Sequence, residues 1–241
     1  MIISHTHKFI FLKPYKVAGS STEYALSSVL KSQDVLTRLS KDEDKKRVKT
    51  FGIKEQNNKQ TLTNLLNGLS KQNKKDLKKF TWPRVFHSHC SANEVKNYVG
   101  DRVWNEYKKV SIIRNPWDYL LSFYHWNPGG GDRPEFKQWI FHNRHLIGAN
   151  NVHYKINDEK IIDIFLRYEN LSSDIRKLPL SHKEIKKVEK ILETTQLKGG
   201  FRKLNKSDEL EMLNKAKFID RVIEAFCDIE LEHFGYEKPF I

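Results

Sequence analysis

Lys16, Gly19, Ser20, Ser21 and Thr22 stand together in one short stretch, and their types suit the binding of an anion. Before them, Phe9-Ile10-Phe11-Leu12 reads as a buried strand within 8–12. After them, Tyr24, Ala25, Val29 and Leu30 recur at helical spacing, which predicts a helix over about 21–31. Residues 13–20 are then a loop opening onto a helix N-terminus. Such a terminus carries unpaired N–H groups and a partial positive charge, so it favours a phosphate. Gly19 permits close backbone approach, the three hydroxyls can donate, and Lys16 adds a mobile point charge. The plainer alternative is a strand–turn–helix junction with a capping serine and a solvated lysine. The loop is not G-x-x-x-x-G-K-[ST], because here the lysine precedes the glycine by three residues.

A second stretch, Val110-Ser111-Ile112-Ile113-Arg114-Asn115-Pro116-Trp117-Asp118, repeats this architecture. Its β-branched residues predict a strand over 109–113. Asn115 is a good N-cap, Pro116 suits the first helical position, and Asp118 complements the helix dipole, so a helix over 116–126 follows. Arg114 falls at the strand end. Ser122 lies about two turns into the helix, roughly 10 Å along its axis. An arginine fork and a serine hydroxyl directed at one point can hold a second phosphate. Alternatively, Arg114 pairs with Asp118 and Ser122 faces solvent.

Together the two stretches resemble the sulfotransferases that use 3′-phosphoadenosine 5′-phosphosulfate (PAPS). Lys16-Val17-Ala18-Gly19-Ser20-Ser21 resembles their 5′-phosphosulfate loop, with Val17 and Ser20 as departures from the usual residues. Arg114-Asn115-Pro116-Trp117-Asp118 with Ser122 and Tyr124 resembles their 3′-phosphate motif, R-N-P-x-D-x-x-x-S-x-Y. The resemblance extends to Phe86-His87-Ser88-His89, to Arg167-Tyr168-Glu169-Asn170-Leu171 and to Ile229–Tyr236, and is closest to the carbohydrate branch, in the manner of heparan sulfate 2-O-sulfotransferases. It implies a fold of the P-loop nucleotide-hydrolase kind, with a central, mainly parallel sheet flanked by helices. It also implies PAPS as donor, a hydroxyl acceptor on a glycan, and no metal. Lys16, Gly19, Ser20, Ser21 and Thr22 would hold the phosphosulfate, and Arg114 and Ser122 the 3′-phosphate. A late basic loop, Lys198–Lys203, would add Arg202 to the 3′-phosphate contacts. Rival readings are a small-molecule kinase with a variant phosphate loop and a non-enzymatic polyanion-binding protein.

Sulfuryl transfer also needs a base, and a histidine can accept a proton near neutrality. His87 and His89 share one face if their segment is extended. The resemblance places the base on His89 with His87 in support; either ring could instead serve packing alone. Zinc is the other chemistry this pair suggests. Zinc wants three or four ligands, and an extended strand would turn Cys90 to the face opposite His89, so no metal site is expected here. His5 and His7 form a similar pair near an end expected to fray. Trp126, Trp139 and Tyr154 are candidates to line an acceptor cleft, and Glu169 to orient a base or to pair with Arg167.

The chain of 241 residues is expected to form one sulfotransferase domain, 1–241. Two cysteines suggest no disulfide framework. No apolar run approaches a membrane span, and the first strand begins too early for a leader, so a cytoplasmic protein is expected. The net charge of +13 is concentrated in 41–84, where thirteen Lys/Arg face five Asp/Glu. That balance suits anionic ligands. With no recognisable nucleic-acid module, a solvated basic insertion or lid over 32–79 is the favoured reading. Further expectations are a strand at 80–87, helices at 92–107, 134–144 and 182–195, a strand at 161–167, and one final helix capped by Ser207. The Pro128-Gly129-Gly130-Gly131 run is expected to end the helix before it.

Overall fold

The computed structural model of the protein describes residues 1–58, 85–126, 131–195, 197, 202 and 204–239. Its frame is a mixed sheet of β1 (Ile2–Ser4), β2 (Phe9–Phe11), β3 (Val35–Leu36), β4 (Lys108–Ile113) and a last strand, Ile164–Arg167. A separate hairpin joins β5 (Lys155–Ile156) to β6 (Glu159–Lys160), so the last strand is β7. The spatial order is β3-β1-β2-β4-β7. Strands β2, β4 and β7 run parallel, with Phe11 opposite Val110 and Ile113 opposite Arg167. By contrast, β1 is antiparallel to both β2 and β3. Alternation of strand and helix called for parallel pairing. It holds for β2, β4 and β7, whereas a short turn folds Met1–Ser4 directly back on β2.

Side-chain alternation divides the core between the two faces. Phe9, Phe11, Val110, Ile112 and Leu166 pack with Ala25 and Leu26 of α1 (Gly19–Ser27) and with Val29 just beyond it. Ile10, Leu12 and Ile113 face the other way, toward Val95, Trp104, Tyr154 and Phe165. Each such side chain, fully buried, contributes roughly 1.5–3 kcal/mol of transfer free energy.

Among the described residues, two helices follow α1 on the way to β4: α2 (Lys41–Phe51) and α3 (Ala92–Glu106). After β4 come α4 (Pro116–His125), α5 (Phe136–His142), α6 (Asn151–Tyr154), α7 (Leu171–Asp174) and α8 (His182–Thr194). α9 (Lys206–Lys215) and α10 (Phe218–Phe226) come next, and a π-helical turn at Ile229–His233 follows them. A third apolar cluster joins Trp117, Leu120 and Leu121 of α4 to Phe136, Ile140, Leu213, Ile219 and Ile223. No helix among the described residues is long and apolar enough to cross a membrane.

Several expectations change. The first residues are not frayed: Met1 to Ser4 are buried, His5 Nδ1 bonds Tyr107 Oη at 2.9 Å, and His7 Nε2 lies 3.1 Å from Glu184. Residues 85–87 are not a strand; the rest of the 80–87 expectation lies outside the described residues. Part of the supposed 32–79 insertion is built into the fold. β3 pairs with β1, and Arg47 of α2 is fully buried, donating to Thr37 O and Asp44. Residues 59–79, and 127–130 of the glycine run, lie outside the described residues. The final helix is two helices, and Asn205 rather than Ser207 provides the cap, accepting from the Asp208 N–H at 2.9 Å.

Candidate functional site

The loop leaving β2 and the end of β4 meet at the carboxyl side of the parallel strands, where open α/β sheets bind ligands. Leu12 is locked to β4 twice, its N–H donating to Val110 O (2.9 Å) and its carbonyl accepting from Ser111 Oγ (3.0 Å). Beyond it the backbone turns through two left-handed residues, Lys16 (φ 56°) and Ala18 (φ 59°). Non-glycine residues seldom adopt this conformation, and functional loops are where it concentrates.

Ala18 is the N-cap of α1, and its side chain has no oxygen to cap with. Thr22 makes the first helical bond, its N–H donating to Ala18 O at 3.1 Å. The N–H groups of Gly19, Ser20 and Ser21 therefore have no acceptor among the described residues. Gly19 also meets a packing requirement. A Cβ there would lie 2.7 Å from Lys13 Cγ, so glycine leaves space for that lysine's stem. Lys13 is buried, and its Nζ pairs with Glu23 Oε2 at 2.8 Å.

Arg114, at the end of β4, is also buried and reaches back into this loop. Its Nη1 donates to Lys16 O at 2.5 Å and its Nε to Asp118 Oδ2 at 2.6 Å, while the guanidinium lies 3.8 Å from the Tyr168 ring centroid. The Asp118 pairing weighed from the sequence is present, and so is the approach to the lysine–glycine turn. Burial opposes ionisation of Asp118, but Arg114 and Arg202 outweigh it and hold the carboxyl below its ordinary range.

A cleft of about 190 Å³ opens between the two elements. Lys16, Gly19, Ser20, Ser21, His89, Arg114 and Ser122 all line it. So do Lys13, Tyr15 and Trp126, and Lys16 Nζ stands 4.8 Å from the Trp126 ring centroid. His89 stacks on Tyr15 with ring centroids 4.2 Å apart, and its Nδ1 lies 2.8 Å from Lys13 O. Burial, with the charge of Lys13, pushes the imidazole down to about 3, so the ring is neutral at pH 7. Because a carbonyl only accepts, the neutral ring carries its proton on Nδ1 and keeps a lone pair on Nε2.

Three expected site residues do not line the cleft. Thr22 is fully buried, with Oγ1 donating to Ala18 O at 3.2 Å, so it serves the helix. Arg202 binds Asp118 (2.5 Å) and Glu209, which links it to Arg114 through a shared carboxylate. Its neighbours in 198–203 lie outside the described residues. His87 faces Cys90 and Glu94, because residues 87–90 form a turn in which Cys90 N–H donates to His87 O (3.3 Å). Of the proposed acceptor aromatics only Trp126 reaches the cleft. Tyr154 is buried, donating to Ile112 O at 2.8 Å, and Trp139 packs against Tyr124 and Phe136. Glu169 instead accepts from Tyr236 Oη (2.6 Å) and the Asn115 N–H (3.2 Å), while Arg167 pairs with Asp174.

Sequence reasoning overlooked Lys13, Tyr15 and Asn150. Asn150 clamps the Tyr15 backbone from both sides, accepting its N–H at 2.9 Å and donating to its carbonyl at 3.2 Å. The Lys13-Pro14-Tyr15-Lys16 run was a signal for the first two, whereas nothing local marks Asn150. Elsewhere, Arg38, Lys41, Lys45, Lys49 and Lys54 line a groove beside α2 with Asp44 and Glu55, and it shares no residue with the cleft. No protein-family model matches the chain, and neither a curated protein nor a solved structure matches it.

Proposed function

We propose that the protein is a sulfotransferase that moves a sulfuryl group from PAPS to an acceptor hydroxyl, on a carbohydrate. The observation that carries this reading is the single cleft shared by Lys16, the open start of α1, Arg114, Ser122 and His89. Two cationic centres and a row of donors on one side suit a ligand with two separated anionic groups. The β2–β4–β7 portion, with its loop and helix after β2, supports a fold of the P-loop nucleotide-hydrolase kind.

In this reading the N–H groups of residues 19–21 and the hydroxyls of Ser20 and Ser21 hold the 5′-phosphosulfate. Arg114 and Ser122 hold the 3′-phosphate, and Arg202 orients Arg114 through Asp118. The acceptor oxygen attacks sulfur as the bond from sulfur to the bridging phosphate oxygen breaks, and its proton passes to His89 Nε2, whose basicity the negative charge of the bound donor raises from its low value in the empty cleft. Lys16 offsets the charge that develops on the leaving phosphate. His89 is seated by the Lys13 carbonyl and by Tyr15.

Thermal melting with 3′,5′-adenosine diphosphate in the absence of magnesium tests the donor site, and a clear rise in Tm is expected. Labelled sulfate transfer from PAPS to a glycan panel tests the reaction. Lys16→Ala is expected to lower kcat by roughly 100-fold or more, as for loss of one donor at a developing charge. Stabilisation by ATP with magnesium but not by 3′,5′-adenosine diphosphate would favour a kinase. Wild-type turnover in Lys16→Ala would remove that residue from the mechanism.

A further inference from the structure

The histidine pair is split by the fold, and only one half of it enters the cleft. His87, Cys90 and Glu94 come together in the 87–94 segment, two of them exposed and Cys90 buried, each offering one ligand atom, all within 4.8 Å of one another. An extended strand would have separated His87 from Cys90. The turn at 87–90 places residues i and i+3 side by side, and the first turn of α3 adds Glu94. From these three side chains we infer a binding site for a zinc-class divalent cation, with solvent as the fourth ligand.

The chemistry of the donors fits, since one thiolate, one imidazole and one carboxylate are all ordinary zinc ligands. The distances fit as well. Two nitrogen, oxygen or sulfur ligands on one tetrahedral zinc lie about 3.3–3.6 Å apart, by the usual bond lengths. His87 Nε2 and Glu94 Oε1 already stand 3.7 Å apart. Both side chains are about half exposed, at 57% and 50%, so they have freedom to close the remaining distance and ions can reach them. Cys90 is buried and fixed, with the His87 N–H donating to its Sγ at 3.2 Å. The second Glu94 oxygen is held by the Ser91 N–H (2.7 Å) and Oγ (2.8 Å), which leaves Oε1 directed at the histidine. Such support of a ligand by hydrogen bonds is usual around metals. The positive end of α3 opposes a cation here, and the two anionic ligands offset it.

On binding, a metal–sulfur bond replaces the Cys90 S–H bond, and the thiol proton leaves to the buffer. Ligation through His87 Nε2 puts the ring proton on Nδ1 and releases the long 3.3 Å contact from the His89 N–H. The site lies one residue from His89 on the chain, so the cation would brace the turn that presents that ring to the cleft. The inference does not depend on the sulfotransferase reading, because its readout is metal binding.

The test uses the full chain, stripped with chelator under reducing conditions. Titration with Co²⁺ is expected to produce a near-ultraviolet thiolate charge-transfer band and visible bands of tetrahedral intensity, saturating at one equivalent. Calorimetry with Zn²⁺ in buffers of different ionisation enthalpy is expected to show about one proton released. Cys90→Ser should abolish the charge-transfer band. His87→Gln and Glu94→Gln, at half-exposed positions that pose little risk to folding, should each weaken Zn²⁺ by at least the roughly 10–100-fold cost of losing an outer-shell partner. Absence of the thiolate band in the wild-type protein overturns the site. So does equal Zn²⁺ affinity in the wild-type protein and the two glutamine variants.

Discussion

Arg114 makes three contacts that all require a flat guanidinium. It donates sideways to Asp118, donates forward to the Lys16 carbonyl, and lies over Tyr168. A lysine retains the charge but cannot make all three contacts at once. Arg114→Lys is therefore expected to weaken 3′,5′-adenosine diphosphate by roughly 10–100-fold, corresponding to the loss of a charged hydrogen bond worth about 1.5–3 kcal/mol. Calorimetric titration measures this, and an unchanged affinity would remove Arg114 from the anion site. That Arg114, Lys16 and Ser122 would meet at one cleft was legible because motif and strand end coincide in the chain. Lys13 was not, since its burial against Gly19 and Glu23 depends on how the loop folds back over α1.

α1 opens on the cleft, and its start differs from those of α2, α3, α4, α8 and α9, which carry side-chain caps. α2, α3 and α8 each close their N-termini with a serine and a glutamate three residues on, Ser40 with Glu43, Ser91 with Glu94, and Ser181 with Glu184. All three fit the S-x-x-E pattern by which such a box is marked in a sequence. α1 begins instead at a left-handed alanine without a side-chain cap, which leaves its first amides without an acceptor among the described residues. α4 is capped by Asn115, whose Oδ1 accepts from the N–H groups of Trp117 (3.1 Å) and Asp118 (3.2 Å) and whose Nδ2 donates to Glu237 O. Asn115→Ala is expected to cost about 1–2 kcal/mol in urea unfolding, and Asn115→Asp to recover most of it. Equal stability of the alanine variant would show that the cap contributes nothing.

At the scale of the whole molecule, burial also acts on a charged group behind the cleft. A cavity of about 10 Å³ lies under Arg114, lined among others by Tyr119, Tyr154, Cys227 and Glu230. Tyr119 Oη and Glu230 Oε2 have no hydrogen-bond partner among the described residues. Burial, with Asp228 nearby, pushes the Glu230 carboxyl up to about 7 from its ordinary 4.5. A carboxyl raised on folding favours the native state fully below its unfolded value, and that contribution is lost as pH rises through the folded value. Relative to Glu230→Gln, the wild-type protein should therefore lose stability steadily between about pH 4.5 and pH 7. Melting temperatures of the two proteins across that range measure the effect, and parallel curves would exclude ionisation of Glu230 as its source.

What the amino-acid sequence determined by itself is local: β2 and β4 as apolar runs, α4 with its cap, and an anion-suited loop before α1. Strand, cap and turn signals lie within a few residues of one another, so short-range sterics and hydrogen bonding specify them. The antiparallel β1, the turn that sends His89 to the cleft and His87 away, and the burial of Lys13, Arg47 and Glu230 were decided by tertiary structure. Each depends on which distant surface covers a side chain, and that is set only when β2, β4 and their helices have packed.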